Sequence, residues 1–246
     1  MIKFFKKIAM IFALAIPYLA IADDHAREIT STVYGQGIQL KVTDPAAMAS
    51  ALTEFRNSET GKKYPGTMLL NQMMAGGENE TTHQLITFFP SAASMDAGAE
   101  MTVPGNADFM AAYETVQSAS EVVGRNLSRL LRGRGSVSTP GAVTNLIQLQ
   151  VTDAAAFMEA FDKLWDSKAF KEFPGGVYFG DTMGGGENLT THFVSFVAPN
   201  MEALYEGMDA IRASSDMAEY TKNANSFRNV TGNYVTRTLM RSVGEY

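Results

Sequence analysis

The sequence repeats itself once, at an offset of 109 residues. Residues 38–90 align without a gap against residues 147–199, and 22 of the 53 aligned positions are identical. Solenoid repeats have periods of about 20–50 residues, so a period of this length indicates one domain written twice. The pattern predicts a first copy over residues 30–131 and a second copy over residues 142–243. Residues 132–141, which are rich in Gly, Ser, Thr and Pro, form the predicted linker.

Each copy shows the same order of predicted elements. An alternating strand ends at an aspartate, Asp44 or Asp153, which is a good N-cap for the amphipathic helix that follows. A Pro-Gly pair then leads into a hairpin, and a second helix and a last strand complete the copy. The order strand, helix, strand, strand, helix, strand is that of the ferredoxin-like fold.

The strands of the predicted hairpins are apolar on both faces. In the second copy Phe179 and Phe196 lie on one face, and Tyr178 and Phe193 lie on the other. A sheet with helices on one side and water on the other alternates apolar and polar residues, so here something must cover the second face. We therefore expect an α+β protein in which two tandem ferredoxin-like βαββαβ repeats pack sheet to sheet as an intrachain α+β barrel.

The element order, the copies of about 109 residues and the glycine-rich hairpin after a Pro-Gly strand entry resemble the dimeric α+β barrel superfamily. That superfamily includes antibiotic biosynthesis monooxygenase-like domains, and here the pair would be a tandem duplication within one chain. The resemblance implies a cavity between the two sheets. In that superfamily the cavity holds substrates in cofactor-independent oxygenases, holds haem in haem-degrading and chlorite dismutase-like proteins, or serves binding alone.

A block with the pattern Gly-Gly-Glu-Asn-x-Thr-Thr-His occurs in both copies and carries the candidate site. It places His83 and His192 at equivalent positions, five residues after Glu78 and Glu187. Histidine is the side chain that titrates near neutral pH and most readily ligates metals. The predicted hairpin register sets His192 opposite Asp181, whose carboxylate would orient the ring as a general base requires.

In the first copy Gln72 takes the position of Asp181, so the predicted catalytic pair is His192 and Asp181 in the second copy. The predicted ligand-binding residues recur in both copies and are His83, Glu78, Glu187, Asn79, Asn188, Arg129 and Arg237. The competing interpretation is structural, because Gly and Asn accept positive φ and the same block is typical of a hairpin turn. One histidine and one or two carboxylates per copy fall short of a zinc ligand set, so no metal site is predicted.

The N-terminal residues are typical of a secretory signal peptide. Lys3, Lys6 and Lys7 precede an apolar run over residues 8–20, and a small-x-small pattern follows just before two aspartates. Removal of residues 1–22 takes away three lysines and leaves 17 basic and 26 acidic residues, which gives a net charge of −9. Such a chain lacks the basic face that a nucleic acid needs. We expect a secreted protein, in the bacterial periplasm, whose mature chain has no membrane span.

The sequence leaves two functions open. The first is a secreted or periplasmic protein that binds a small apolar or aromatic ligand in the cavity between the sheets. The alternative is a monooxygenase-like or haem-linked oxidoreductase that uses His192 with Asp181, so whether the protein is an enzyme stays open. The lack of cysteine excludes a thiol nucleophile and cysteine-ligated zinc or iron–sulfur sites. We expect no cofactor, although the resemblance to the superfamily implies that haem is possible. Self-association is compatible with either function.

Overall fold

A computed structural model of the chain describes residues 32–76, 80–135, 138–185 and 189–243, which contain eight strands and eight helices. The predicted signal peptide lies outside the described residues. The strands are β1 (Val33–Val42), β2 (Thr67–Ala75), β3 (His83–Phe89), β4 (Ser120–Gly135), β5 (Val143–Val151), β6 (Gly176–Gly184), β7 (His192–Ala198) and β8 (Arg228–Ser242). The helices are α1 (Pro45–Asn57), α2 (Glu59–Lys63), α3 (Ala92–Met101), α4 (Ala107–Ala119), α5 (Ala154–Trp165), α6 (Lys168–Lys171), α7 (Met201–Ala213) and α8 (Ser215–Phe227). We call the part with β1–β4 the first half and the part with β5–β8 the second half.

The strands of both halves form one closed antiparallel barrel, in the order β1-β3-β2-β8-β5-β7-β6-β4. The expectation of an α+β fold with two ferredoxin-like sheets packed face to face is therefore wrong. β2 pairs along β8 and β4 pairs along β6, so the two sets of strands meet edge to edge. The physical reason is that two separate sheets would leave rows of unpaired backbone N–H and C=O groups on their edge strands. Closure gives each of these strands two neighbours.

Every second residue of each strand points into the barrel, and the side chains of these residues fill its interior. Leu69, Asn71, Thr236 and Thr238 are buried there. The Thr238 hydroxyl donates a hydrogen bond of 2.9 Å to the side-chain oxygen of Asn71, which joins the two halves inside the barrel. The space in which the sequence predicts a ligand cavity is thus filled at this level by packed, hydrogen-bonded side chains.

The helices cover the outer surface of the barrel. As predicted, Asp44 and Asp153 cap α1 and α5, because each carboxylate accepts a hydrogen bond of 3.0 Å from the backbone N–H three residues later. The second half has an aromatic core under α5, where the rings of Phe161 and Phe179 lie 4.6 Å apart. The first half has a smaller buried cluster that includes Met48. Within the described ranges no helix has both the length and the apolar character needed to cross a membrane.

Strand β4 is longer than predicted and runs to Gly135, into the segment that the sequence predicts as a linker. Two arginines hold this extension against α5. Arg132 Nη1 lies 2.6 Å from the Asp162 carboxylate, and the Arg134 guanidinium lies 4.3 Å from the centre of the Trp165 ring. A strand of the first half thereby packs on a helix of the second half.

Candidate functional site

A cleft of about 510 Å³ lies on the outer surface of the barrel, between α3 and the strands β1 and β4. The end of β6 also reaches it through Gly184 and Gly185, so both halves contribute to its walls. A volume of this size is within the range of about 300–1,000 Å³ that is typical of small-molecule sites.

The floor of the cleft is apolar. Ile38 of β1, Leu127 of β4 and Met95 of α3 line it, together with the ring of Tyr64. Tyr64 is buried, and its ring packs edge to face against Phe89 with 5.9 Å between the ring centres. Burial raises the pKa of the Tyr64 hydroxyl. The floor is therefore a fixed surface against which a neutral, flat group can pack.

The mouth of the cleft is polar. Arg125 of β4, Gln36 of β1 and Asp96 of α3 line it and are exposed. No ion pair within 4.0 Å joins Arg125 to Asp96 or to any other acidic side chain of the described residues. An apolar floor beneath a charged mouth suits a ligand with an apolar body and a polar end.

A glycine in α3 sets the distance between this helix and the barrel. A Cβ atom at Gly98 would come within 2.8 Å of the Phe89 ring and 3.3 Å of the Tyr64 ring. Gly207 of α7 occupies the equivalent position in the second half, where a Cβ atom would come within 2.6 Å of the Phe173 ring. Both helices therefore approach the barrel closely at the same point, and the cleft does not arise from a helix that is displaced there.

In the second half the space equivalent to the cleft is filled. At the 109-residue offset, Met95, Ala99 and Thr102 correspond to Leu204, Met208 and Ile211 of α7. These three residues are 2%, 7% and 2% exposed and belong to the aromatic core of the second half. The cleft exists because the first half has the shorter Ala99 and the more polar Thr102 at two of these positions. In addition, α3 ends at Met101, whereas α7 continues to Ala213.

The polar residues of the two halves differ in the same way. Asn145 and Asn233 stand at the positions of Gln36 and Arg125, and Asn145 Nδ2 donates a hydrogen bond of 2.7 Å to Asn233 Oδ1. No hydrogen bond joins Gln36 to Arg125, both of which the structure describes. The second half thus pairs these two side chains with each other, whereas the first half leaves them unpaired with each other at the mouth of the cleft.

The residues predicted as a catalytic pair lie elsewhere on the outer surface, under α5. The backbone ladder pairs Asp181 with His192, as the predicted hairpin register requires. The Asp181 carboxylate, however, accepts hydrogen bonds from Arg129, at 3.2 Å from Nε and 2.5 Å from Nη2. The His192 ring stacks on Phe179 at 5.6 Å, and its Nδ1 lies 2.9 Å from the Thr191 hydroxyl. The sequence did not indicate that Arg129 would bind Asp181.

Burial sets the protonation state of the two described histidines. Desolvation lowers the pKa of His192, and the negative charge of Asp181 opposes this shift in part. Desolvation also lowers the pKa of His83, which is 5% exposed and has its Nδ1 3.0 Å from the Thr82 hydroxyl. Both rings are therefore neutral at pH 7.

The remaining predicted site residues do not come together at the cleft. His83 lies opposite Gln72 in the ladder, and Arg237 lies on the other side of Gln72 and is exposed. None of the five described candidates lines the cleft. The other four, Glu78, Asn79, Glu187 and Asn188, lie outside the described residues. Within the part of the chain that the structure describes, no group of three His, Asp or Glu side chains could hold a metal ion.

The cleft residues were missed because they carry no repeated motif. The signal that could have found them is a difference between the copies. Ala99 stands where the second copy has Met208, and Arg125 stands where it has Asn233. Identities between the copies pointed instead to the hairpins.

Solved structures share this fold, whereas no family model and no curated protein matches the sequence. A putative monooxygenase from Fusobacterium nucleatum aligns with a TM-score of 0.59 at 11% identity, over 86% of this chain and 94% of that one. A putative monooxygenase from Lactobacillus acidophilus aligns with a TM-score of 0.53 at 16% identity, over 87% and 95%. A heme-binding protein from Thermus thermophilus aligns with a TM-score of 0.52 at 9% identity, over 88% and 94%.

These similarities show that the chain shares its fold with proteins that are described as putative monooxygenases and as heme-binding. Identities of 9–16% show the fold alone, because one fold hosts many unrelated activities.

One of these neighbours is described as heme-binding, but the residues of the cleft in this chain do not fit haem. Protein ligands of haem iron are His, Cys, Met or Tyr, and neither described histidine lines the cleft. The chain has no cysteine. Burial raises the pKa of the Tyr64 hydroxyl, which disfavours the tyrosinate that a tyrosine ligand of haem iron requires, and Met95 would lack the histidine that accompanies a methionine ligand in cytochromes c.

Proposed function

We propose that the protein binds a small, mainly apolar molecule in the cleft between α3 and the strands β1 and β4. The observation that carries this proposal is the difference between the halves. The same position in the second half is filled by Leu204, Met208 and Ile211, whereas α3 leaves about 510 Å³ open over an apolar floor. A surface cleft of this volume with an apolar floor is typical of small-molecule sites, which supports the proposal.

The proposed site differs from the one that the sequence predicts. The ligand lies on the outer surface of the barrel under α3, and the space between the two sets of strands is given to packed side chains. The apolar floor formed by Ile38, Leu127 and Tyr64 favours an aromatic or other flat ligand, because a flat group buries the most surface area against it.

An oxidoreductase built on His192 and Asp181 has less support. Two fold neighbours are described as putative monooxygenases, and one as a heme-binding protein. In this chain, however, Asp181 is bound by Arg129, and His192 packs against Phe179 away from the cleft. Because the cleft residues do not fit haem, we propose no haem-dependent step.

Two further features belong to the proposal. We propose that the halves arose by tandem duplication, since 22 of 53 aligned residues are identical over residues 38–90 and 147–199. We also propose that residues 1–22 direct export, to the periplasm of a bacterium. Fractionation of cells with mass spectrometry of the soluble protein tests the export proposal. A cytoplasmic protein that retains residues 1–22 would contradict it.

Calorimetric titration with methyl 2-naphthoate, a neutral flat probe, tests the binding proposal. We expect the chain without residues 1–22 to bind the probe, and Ala99→Met, which copies Met208 of the filled half, to weaken binding by at least about tenfold. Ala93→Met is the matched control, because Ala93 is exposed on the same helix and does not line the cleft. Equal binding by wild type and Ala99→Met, or no binding at all, would contradict the proposal.

A further inference from the structure

The polar groups at the mouth of the cleft are arranged for an anion. In the second half Asn145 Nδ2 donates a hydrogen bond of 2.7 Å to Asn233 Oδ1, and both side chains are uncharged. In the first half the equivalent residues are Arg125 and Gln36, which are exposed and line the cleft without bonding to each other. The exchange of an amide for a guanidinium at the one position adds a full positive charge to the edge of an apolar floor.

The surroundings of Arg125 leave its guanidinium accessible from the cleft. The neighbouring end of β6 consists of Gly184 and Gly185, which bring no side chain to this wall. Gly185 has a φ of +67°, and a Cβ atom there would clash with the backbone carbonyl of Arg125, so only glycine suits the position. Asp96 of α3 is the acidic residue that lines the cleft, and no ion pair joins it to Arg125.

Another arginine of β4 has a carboxylate partner within the protein. Arg129 lies four residues further along β4 and is held by Asp181 through two hydrogen bonds. Among the described residues, no carboxylate plays that part for Arg125. A ligand carboxylate can therefore take the position at Arg125 that a protein carboxylate takes at Arg129.

We propose that Arg125, assisted by Gln36, is the anion-binding group of the cleft, and that the ligand is a flat apolar molecule with a carboxylate. This inference rests on the proposed function. The guanidinium offers a planar fork of N–H donors that matches the two oxygens of a carboxylate, and the Gln36 amide supplies a further donor. Asp96 on the opposite wall repels the carboxylate, which turns that end of the ligand towards β4.

Paired titrations with 2-naphthoate and its methyl ester test this inference, because the two probes share the ring system and differ in charge. We expect wild type to bind 2-naphthoate about tenfold more tightly than the ester. Arg125→Asn, which copies Asn233 of the second half, is expected to remove that preference by weakening the binding of 2-naphthoate about tenfold more than it changes the binding of the ester. Arg212→Asn is the charge-matched control, since Arg212 is exposed on α7 and pairs with Asp209.

The two proposals fail in different ways. If wild type binds both probes equally, or if Arg125→Asn keeps the preference for 2-naphthoate, the anion inference is overturned while the cleft remains a binding site. If Ala99→Met binds the ester as wild type does, the cleft itself is not the site, and both proposals fall. An equal loss of preference in Arg212→Asn would assign the effect to net charge and would also overturn the role of Arg125.

Discussion

Helices α3 and α7 occupy equivalent places on the barrel and treat the space beneath them in opposite ways. α7 fills it with Leu204, Met208 and Ile211, all buried. The first half has Ala99 of α3 and Thr102, which directly follows α3, at the second and third of these positions, and the cleft remains open. The helices themselves share an N-terminal cap position and a glycine that packs on an aromatic ring, so the difference lies in side chains and in the length of the helix.

The comparison teaches how two equivalent halves of one barrel can differ in the packing beneath their helices, one half adding stability and the other leaving the cleft that we propose for a ligand. Each buried aliphatic side chain of α7 contributes about 1.5–3 kcal/mol to the free energy of unfolding. The first half lacks this contribution under α3, but its strands pair with those of the second half around the closed barrel. The second half can therefore support a first half that is opened for a ligand.

A second pair of equivalent regions differs in charge. In one region, the paired strands β4, β6 and β7 place Arg129, Asp181 and His192 side by side. In the equivalent region, the paired strands β8, β2 and β3 place Arg237, Gln72 and His83 side by side. Asp181 gives one arginine a carboxylate partner, whereas Gln72 gives the other none.

The largest expected effect concerns the filled half. Ile211→Ala should lower the free energy of unfolding by about 2–5 kcal/mol, because it leaves a cavity in the aromatic core. Thr102→Ala, at the equivalent position beside the cleft, should change it by less than about 1 kcal/mol. Urea unfolding of the two variants measures both values. Equal losses would break the distinction between a filled and an open half.

A smaller effect is expected at the ion pair. Asp181→Asn should lower the free energy of unfolding by about 1 kcal/mol, because Arg129 loses its carboxylate while both side chains are only partly buried. Arg237→Gln, in the equivalent region, should have an effect within about 0.5 kcal/mol. Thermal and urea unfolding compare the variants, and a larger loss in Arg237→Gln would contradict the assignment.

The smallest effect concerns acid. Burial lowers the pKa of His83 and His192 in the folded protein, so the unfolded chain binds more protons as the pH falls through its histidine pKa of about 6.5. The stability from these histidines is fully present above that value and is lost below it, towards the folded-state pKa. We expect the melting temperature to fall between pH 7.5 and 5.5. The double variant His83→Gln/His192→Gln should show a shallower fall, and an unchanged slope would contradict the role of burial.

Local and paired features were predictable from the sequence, whereas closure of the barrel was not. Asp44 and Asp153 were predicted as helix caps from residue type and position, and the register of Asp181 with His192 followed from the hairpin length. Strands that are apolar on both faces are expected in a closed barrel and also in two packed sheets. The pattern of apolar and polar residues along the strands therefore cannot distinguish these two architectures. The pairing of β2 with β8 decides between them, and its partners are more than 150 residues apart.

The cleft could not be predicted from conserved blocks because it is built from differences. Ala99 and Arg125 are ordinary residues on a helix and a strand, and only their counterparts Met208 and Asn233 give them meaning. The histidines attracted attention because they repeat, but a repeated residue under a helix in both halves is also what packing requires.

Methyl-resolved NMR during a titration with 2-naphthoate tests the central claim that only the first half holds a ligand. We predict that the methyl signals of Ile38 and Leu127 shift together and saturate. The signals of their counterparts in the second half, Ile147 and Val235, should stay in place, because Leu204, Met208 and Ile211 fill the space above them. Shifts of equal size in both halves, or shifts confined to the second half, would contradict the account.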